Sequence, residues 1–527
     1  MRHSIDPRQT LLFDEFKRFN SELGYKTLVN SWSGVFRAVV LELMPVGELA
    51  EHFHPTTGAP TKELYSMAGL ILLKEFRDWS ADEAAEAYMF DDRVKFALNL
   101  NPTNISLSYR TVERYERIFR EDNLAAQVMD KVTGRLIEIL DLDISKQRLD
   151  STHVFSNMAT FSRTRLMGVT IKRLLTQIKR HDSAAYDALP LELRDRYAPS
   201  VHGMFADVKS SEARHTLRQQ VAQDMYWLIQ HFEDDSNHAG RSTFKMLVTV
   251  FEQQCELVDD QIVIRKHTGG DVIQNPSDPD ATYDGKKGPG YQAQLTETSN
   301  ENNEVELITG VIPQTAVESD ANIVGPMLAH LNEQGLLPDQ MSMDTAYGSH
   351  ENELICEDHG VEMLSPVAGP EVNADQLNSD DFAINPSTNL IDQCPNGHTP
   401  QDASFDEETG KHTAFMPPSA CSSCPFFNEC PTRKVGDQYR VEFTVKTQRL
   451  SARRREQNTE PFRETYRKRA GIEGTNSGIK RTTGMGRVRV RGRPSVFHAI
   501  HLKVTGWNLS RAASSPRMRE YVNAIIA

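Results

Sequence analysis

Apolar positions recur at three- and four-residue spacing through much of the first 140 residues, a pattern that predicts helices. "TKELYSMAGLILLKEF" carries such a face. "SADEAAEAYMF" opens on Ser80 with Glu83 three residues on, the pair that satisfies two orphan N–H groups in a capping box. "LSYRTVERYERIFRED" predicts a short polar helix bearing Tyr109, Arg110, Arg114 and Arg117. Short helices ending in one rich in arginine and aromatic residues suit a helix-turn-helix type DNA-binding module, and equally a plain helical bundle.

At "QRLDSTHVF" the pattern shifts to a strand with Asp150 on it. Residues 165 to 260 return to helical spacing in "RLLTQIKR", "RHTLRQQVAQDMYWLIQHF" and "STFKMLVTVFEQQCELV". Beyond Ile273 come two strands, "GPGYQAQLTET" and "ELITGVIPQTAV", then the helix "SDANIVGPMLAHLNEQG", the strand "QMSMDTAYG", the helix "HENELICEDHG" and the strand "VEMLSPV". With "QRLDSTHVF" first, that order is the order of a ribonuclease-H-like mixed sheet in an α/β protein, although other α/β folds share its periodicity. The expected division is a helical DNA-binding domain over 1–140, the first core strand over 141–165 and a helical insertion over 166–270. The ribonuclease-H-like core over 271–370, a cysteine-cluster insertion over 371–440 and a basic helical region over 441–527 that completes the core follow.

A chain of 527 residues is too long for a single core. No apolar run is long enough to span a bilayer and the first residues have no apolar signal region, so a cytoplasmic protein with no membrane partner is expected. The net charge of −14 is unevenly spread. From Pro431 onward 22 Lys plus Arg face 7 Asp plus Glu, which leaves −29 for residues 1–430. A basic face on an acidic protein is a footprint for a polyanion; a solvated terminal helix would also produce it.

Three carboxylates stand out by position: Asp150 on the first strand, Asp344 at the end of a buried-looking strand, and Glu473 alone within the basic terminal segment. Hard Mg²⁺ is held by a few carboxylates plus waters and phosphate oxygens. Two such ions can activate an attacking oxygen and stabilise a leaving one at phosphorus. Tyr466, Arg469, Glu473 and Lys480 fall on one face of a predicted helix, with Ile472 and Ile479 on another. Gly471, Gly474 and Gly478 oppose that helix by roughly 1 kcal/mol each relative to Ala.

The spacing Tyr466-x2-Arg469-x3-Glu473-x6-Lys480 resembles, without gap or mismatch, the signature of DDE transposases encoded by bacterial insertion sequences. "DSTHV" at Asp150 and "DTAYGS" at Asp344 resemble the strands that carry their first and second aspartates. The resemblance implies a metal-binding catalytic triad of Asp150, Asp344 and Glu473, served by two Mg or Mn ions. It implies that Tyr466, Arg469 and Lys480 hold transposon-end DNA, and that a homodimer pairs two inverted repeats before joining them to target double-stranded DNA. An inactive repressor of the same descent, or a nuclease without strand transfer, is the alternative. Arg469 could also serve as an ordinary i,i+4 partner of Glu473.

"GMGRVRVRGRP" alternates arginine with valine or glycine, and as an extended ribbon it would set Arg487, Arg489, Arg491 and Arg493 on one side to track phosphates. A charged, solvated edge strand is the other reading. Cys394-x26-Cys421-x2-Cys424-x5-Cys430, with His398 nearby, is chemically suited to structural Zn, and the alternative is four reduced thiols. Cys255 and Cys356 lie in apolar, helical-looking contexts and are expected as buried hydrophobes.

Overall fold

The structure is a computed structural model that describes residues 1–9, 14–101, 105–369 and 376–526. Its centre is a mixed sheet of β1 (Lys146–Val154), β2 (Gly288–Thr298), β3 (Ile308–Thr315), β4 (Gln340–Met343) and β5 (Glu362–Leu364), with a sixth short strand, Thr282–Asp284, also against β2. β1 lies between β2, to which it is antiparallel, and β4, to which it is parallel. β3 pairs antiparallel with β2, and β5 parallel with β4, so the order is β3-β2-β1-β4-β5. β2 is buried over nearly its whole length, and its polar residues Gln294, Glu297 and Thr298 all find partners.

The N-terminal helices include α1 (Leu64–Phe76), the arginine-bearing α2 (Tyr109–Glu121) and α3 (Leu124–Leu140), and the Ser80–Glu83 capping box forms as expected. Residue 140 marks no break in the apolar interior. Phe36, Leu70 and Leu136 share one buried cluster with Leu149 of β1 and Met341 and Met343 of β4.

The insertion after β1 has its own core. Helices α4 (Arg163–His181), α5 (Ser211–Phe232) and α6 (Ser242–Gln254) bury Ile171, Leu174, Val221, Leu228, Leu247 and Val250 together. Arg163 ties its entrance to its exit, donating from Nε to Gln254 Oε1 at 2.7 Å and from Nη1 to the Arg265 carbonyl at 2.8 Å. The helix expected to run through "CELV" ends at Gln254. Cys255–Val258 instead pairs antiparallel with Gln261–Ile264 around Asp259 and Asp260, whose φ values are 49° and 58°. Two consecutive residues with positive φ make the primed turn whose twist suits a hairpin, and the apolar spacing of so short a run fits either period. Cys255 is thus a strand residue, buried as expected, and Cys356 is buried on the helix His350–Asp358.

The boundary expected at residues 370–371 lies outside the described residues. The cysteine segment is more regular than its loop-rich sequence suggests. Asp402–Asp406, Lys411–Met416, Gln438–Thr444 and Arg433–Val435 form, in that spatial order, a four-stranded antiparallel sheet. The chain then returns to the central sheet through the helices Val445–Glu456 and Glu460–Arg467, a 3₁₀ turn Lys468–Ala470, α7 (Gly471–Thr483) and α8 (Arg493–Ala512). Ile472 and Ile479 of α7 are both buried, as their seven-residue repeat predicts. Lys503 of α8, wholly buried, donates to the carbonyls of Glu75 and Thr483 at 3.0 and 2.6 Å and pairs with Asp78 at 2.8 Å, which locks the end of α7 to the N-terminal helices.

Candidate active site

Leu149 of β1 and Met343 of β4 are register partners in a parallel pair. The next residue along each chain is an aspartate, so the two strands deliver Asp150 and Asp344 side by side. Asp344 also caps the turn Thr345–Tyr347, its Oδ1 accepting from the Ala346 N–H at 2.6 Å, which leaves Oδ2 for other partners. Tyr347, fully buried, donates to Gln294 Oε1 at 2.7 Å, and Gln294 in turn donates to Asp320 at 2.6 Å. Tyr347, Gln294 and Asp320 thus form a run of hydrogen bonds.

α7 crosses β1 and supplies the third carboxylate. Tyr466, Arg469, Glu473 and Lys480 do not share a single α-helix as expected, because a 3₁₀ turn separates the helix of Tyr466 from that of Glu473 and Lys480. A 3₁₀ turn is more tightly wound than an α-helix, and Arg469 lies within it. Its guanidinium lies among all three carboxylates: Nη2 is 3.6 Å from Asp344 and 3.9 Å from Asp150, and Nη1 is 3.9 Å from Glu473. The arginine is 11% exposed and Asp150 16%, whereas Glu473 is 72% exposed.

Burial pushes the Asp150 carboxyl up to about 6, with Arg469 opposing the shift and Asp344 adding to it. Burial pushes Lys480 down, Lys287 reinforces that shift and Asp150 resists it. Tyr466 stacks on Phe462 with ring centroids 5.7 Å apart, and Arg469 lies 6.0 Å from the Tyr466 centroid. His153, three residues along β1 from Asp150, is buried and packs edge-on against Phe155, as its place on the other face of the strand predicts.

Spacing did not single out Asn476. Its Nδ2 donates to Asp150 Oδ2 at 3.0 Å, and its Oδ1 is buried with no hydrogen-bond partner. The signal was available, since Asn476 lies three residues beyond Glu473 on the same helix. Arg148 and Glu297, both buried beside α7, were missed as well.

Three carboxylates and an orphaned amide oxygen are hard donors of the kind Mg²⁺ or Mn²⁺ takes, so the residues fit such ions. Their oxygens are more widely spread than a closed site. Among the described residues, the three acidic, histidine or cysteine side chains with ligand atoms all within 4.8 Å of one another are Glu75, Glu116 and His498. There Lys74 already neutralises the carboxylates, at 2.8 Å from Glu75 and 3.3 Å from Glu116. The expected zinc site is not supported. Cys394, Cys421, Cys424 and Cys430 line one cavity with His398, but no three of their thiols approach within 4.8 Å of one another.

The basic surface is thinner than the composition suggests. Lys446, Arg449 and Arg453 pair with Glu351, Glu353 and Glu357, and Arg455 with Asp380 and Asp381. The expected arginine ribbon is not extended throughout: residues 485–486 make a turn, with Arg487 N–H donating to the Gly484 carbonyl at 3.1 Å, and the chain then passes the end of β1, with Val488 N–H donating to the Phe155 carbonyl at 2.9 Å. Arg487 and Arg491 are exposed. Arg489 departs from the expectation: it pairs with Asp78 at 3.1 Å and Glu83 at 2.9 Å, acids about 400 residues earlier in the chain. Arg493 begins α8 and its N–H donates to Asp280. Arg110 and Arg114 lie exposed on α2, with Arg114 over the Phe53 ring.

Residues 393–513 match the model of a family described as Transposase DDE domain. That span holds the four clustered cysteines, Tyr466, Arg469, Glu473 and Lys480, and stops short of Asp150 and Asp344. A cryo-EM structure of a piggyBac transposase synaptic complex with hairpin DNA is similar at 9% identity over 69% of this chain and 70% of that chain, with a TM-score of 0.22. No curated protein matches the chain.

Proposed function

We propose that the chain is a DDE transposase of the bacterial insertion-sequence group that cuts DNA at the terminal inverted repeats of its element and joins the freed ends to target DNA. The observation that carries this reading is the convergence of Asp150, Asp344 and Glu473, from β1, β4 and α7, around a single guanidinium. The family match over 393–513 supports a transposase. The order β3-β2-β1-β4-β5, with β2 alone antiparallel to its neighbours, supports a ribonuclease-H-like core.

In this reading Asp150, Asp344 and Glu473 hold two divalent cations, which when bound lower the pKa of a water and stabilise charge at phosphorus. Asp150 takes part as the carboxylate. Arg469 exchanges its carboxylate partners for a phosphate of the entering strand, and Lys480 and Tyr466 hold phosphates beside it. Arg487 and Arg491 follow the backbone. Water then breaks a phosphodiester to leave a 3′-OH, and that hydroxyl displaces a 3′-oxygen in target DNA. Positioning supplies most of the catalysis. Two ends must meet for joining, so the active form is a homodimer on paired double-stranded ends.

Labelled duplexes carrying the repeats that flank the gene, a target plasmid and Mg²⁺ test the reading. Nicking followed by joined product is expected from wild type, with neither from Glu473→Gln. Equal activity in both proteins, or none in wild type, would reject it, and nicking without joining would favour a nuclease.

A further inference from the structure

We infer that Arg148 and Glu297 are a positioning pair that fixes Glu473 relative to Asp150; the consequence for catalysis rests on the transposase reading, whereas the mechanical claim does not. Arg148 lies two residues before Asp150 and therefore on the same face of β1. Glu297 is its register partner on β2. The two side chains are 10% and 1% exposed, with Nε and Nη2 of Arg148 at 2.8 and 2.7 Å from Glu297 Oε2. An ion pair buried this deeply is a weak source of stability, because desolvation offsets most of its attraction. Its remaining hydrogen bonds indicate what it does.

Both point at the segment that carries Glu473. Arg148 Nη1 donates to the Lys468 carbonyl at 2.9 Å, in the 3₁₀ turn that also holds Arg469. Glu297 Oε1 accepts from Thr475 Oγ1 at 2.6 Å, on the first turns of α7. The pair grips the chain five residues before Glu473 and two residues after it. Gly471 lies between the two grips, and a Cβ there would fall 2.2 Å from Arg148 Nη1 and 2.7 Å from its Cζ. Glycine is what lets the guanidinium reach the backbone. With Asn476 bonded to Asp150 as well, three polar links tie β1 and its partner strand to residues 468–476. An exposed carboxylate on a helix with three glycines thereby acquires a fixed place.

Two variants of the full chain test this. Arg148→Met combined with Glu297→Leu removes the pair without stranding a buried charge, and Thr475→Val removes one grip while leaving the ion pair intact. In metal-free protein, hydrogen exchange of amides 469–476 should quicken at least ten-fold in the double variant and less in Thr475→Val, with β1 and β2 amides unchanged. With repeat DNA, the cleavage rate at saturation should fall about a hundred-fold in the double variant, while the Kd for the same DNA in Ca²⁺ stays within two-fold. Exchange at 469–476 equal to wild type in both variants overturns the inference, as does a loss of rate matched by an equal loss of DNA affinity. Quickened exchange in a protein whose wild type cuts no DNA rejects the transposase reading and leaves the pair's mechanical role standing.

Discussion

Arg469 Nη2 lies 3.6 Å from Asp344 Oδ2, so the residue expected to hold DNA sits among the acids expected to hold metal. The same guanidinium reaches Asp150 and Glu473. One cation among three carboxylates balances a site that would otherwise repel itself, since like charges a few ångströms apart disfavour their own ionisation.

Arg469 and a divalent ion therefore compete for the same oxygens. Arg469→Gln should raise the affinity of the DNA-free protein for Mn²⁺ about ten-fold, or about 1.4 kcal/mol, in an electron-paramagnetic-resonance titration. The same variant should cut repeat DNA more slowly. Mn²⁺ affinity that stays put or weakens would show that the arginine organises the acids rather than competing for them.

Asp150 carries a pH signature. Its carboxyl titrates at about 6 in the folded protein, above the ordinary aspartate value near 4, so the folded state binds its proton more tightly than the unfolded chain. Ionisation thus costs stability. The cost is absent below about pH 4, grows as pH rises to about 6 and stays constant above. In metal-free protein, Asp150→Asn should stabilise the fold by up to about 3 kcal/mol at pH 7 and by almost nothing at pH 4, read from urea unfolding. A variant curve offset equally at both pH values would contradict the assigned cause.

The three glycines of α7 separate into two kinds. A Cβ on Gly478 would fall 2.5 Å from the Trp507 ring, whereas one on Gly474 would meet nothing within 4 Å. Gly474→Ala should gain up to about 1 kcal/mol from helix propensity and leave cleavage unchanged. Gly478→Ala should lose about 1–3 kcal/mol to overpacking despite the same propensity gain. Thermal melts of the two proteins check the sign of each. Why position 474 is glycine has no account in the packing.

The arginines after α7 should differ in how they meet DNA. Arg487→Ala and Arg491→Ala should each lower the slope of log affinity against log salt by about 1, as loss of one phosphate contact does. Arg489→Ala should leave the slope nearly unchanged, because Asp78 and Glu83 already hold its charge. Fluorescence anisotropy at several salt concentrations separates these outcomes, and an equal drop for Arg489→Ala would mean that its internal pairs open on DNA.

How far the sequence could be read follows from which interactions are local. Strand periods located all five core strands but drew two of them long, since "QMSMDTAYG" is strand only over Gln340–Met343 and "VEMLSPV" only over Glu362–Leu364, and the seven-residue repeat of Ile472 and Ile479 correctly predicted the buried face of α7. The adjacency of Asp150 and Asp344 comes from a parallel pairing of residues 194 apart in the chain, which no local period encodes. Resemblance, not periodicity, chose those two from 73 acidic residues. The 3₁₀ turn has no signature distinct from the helix around it, so one helix was expected where two meet at a turn. Composition counted Arg489 and the arginines of Val445–Glu456 as free charge, and only the fold reveals the acids that take them. Gly471 and Gly478 read as costs until Arg148 and Trp507 were seen to need the space.

The tie that Arg163 makes across the helical insertion bears on how the chain reaches this fold at the ribosome. β1 leaves the ribosome 133 residues before β2 begins, a wait of roughly ten seconds at ordinary rates of synthesis. During that wait α4, α5 and α6 can bury one another, since their core draws on no strand of the central sheet. Once Arg163 holds Gln254 and Arg265, the insertion is a closed knot of structure whose two ends already meet. The entropy of closing a loop depends on the chain left free within it, so a folded insertion shortens the search that β1 and β2 must make for each other. An insertion completed in that interval would return the chain to within reach of β1 before β2 is made.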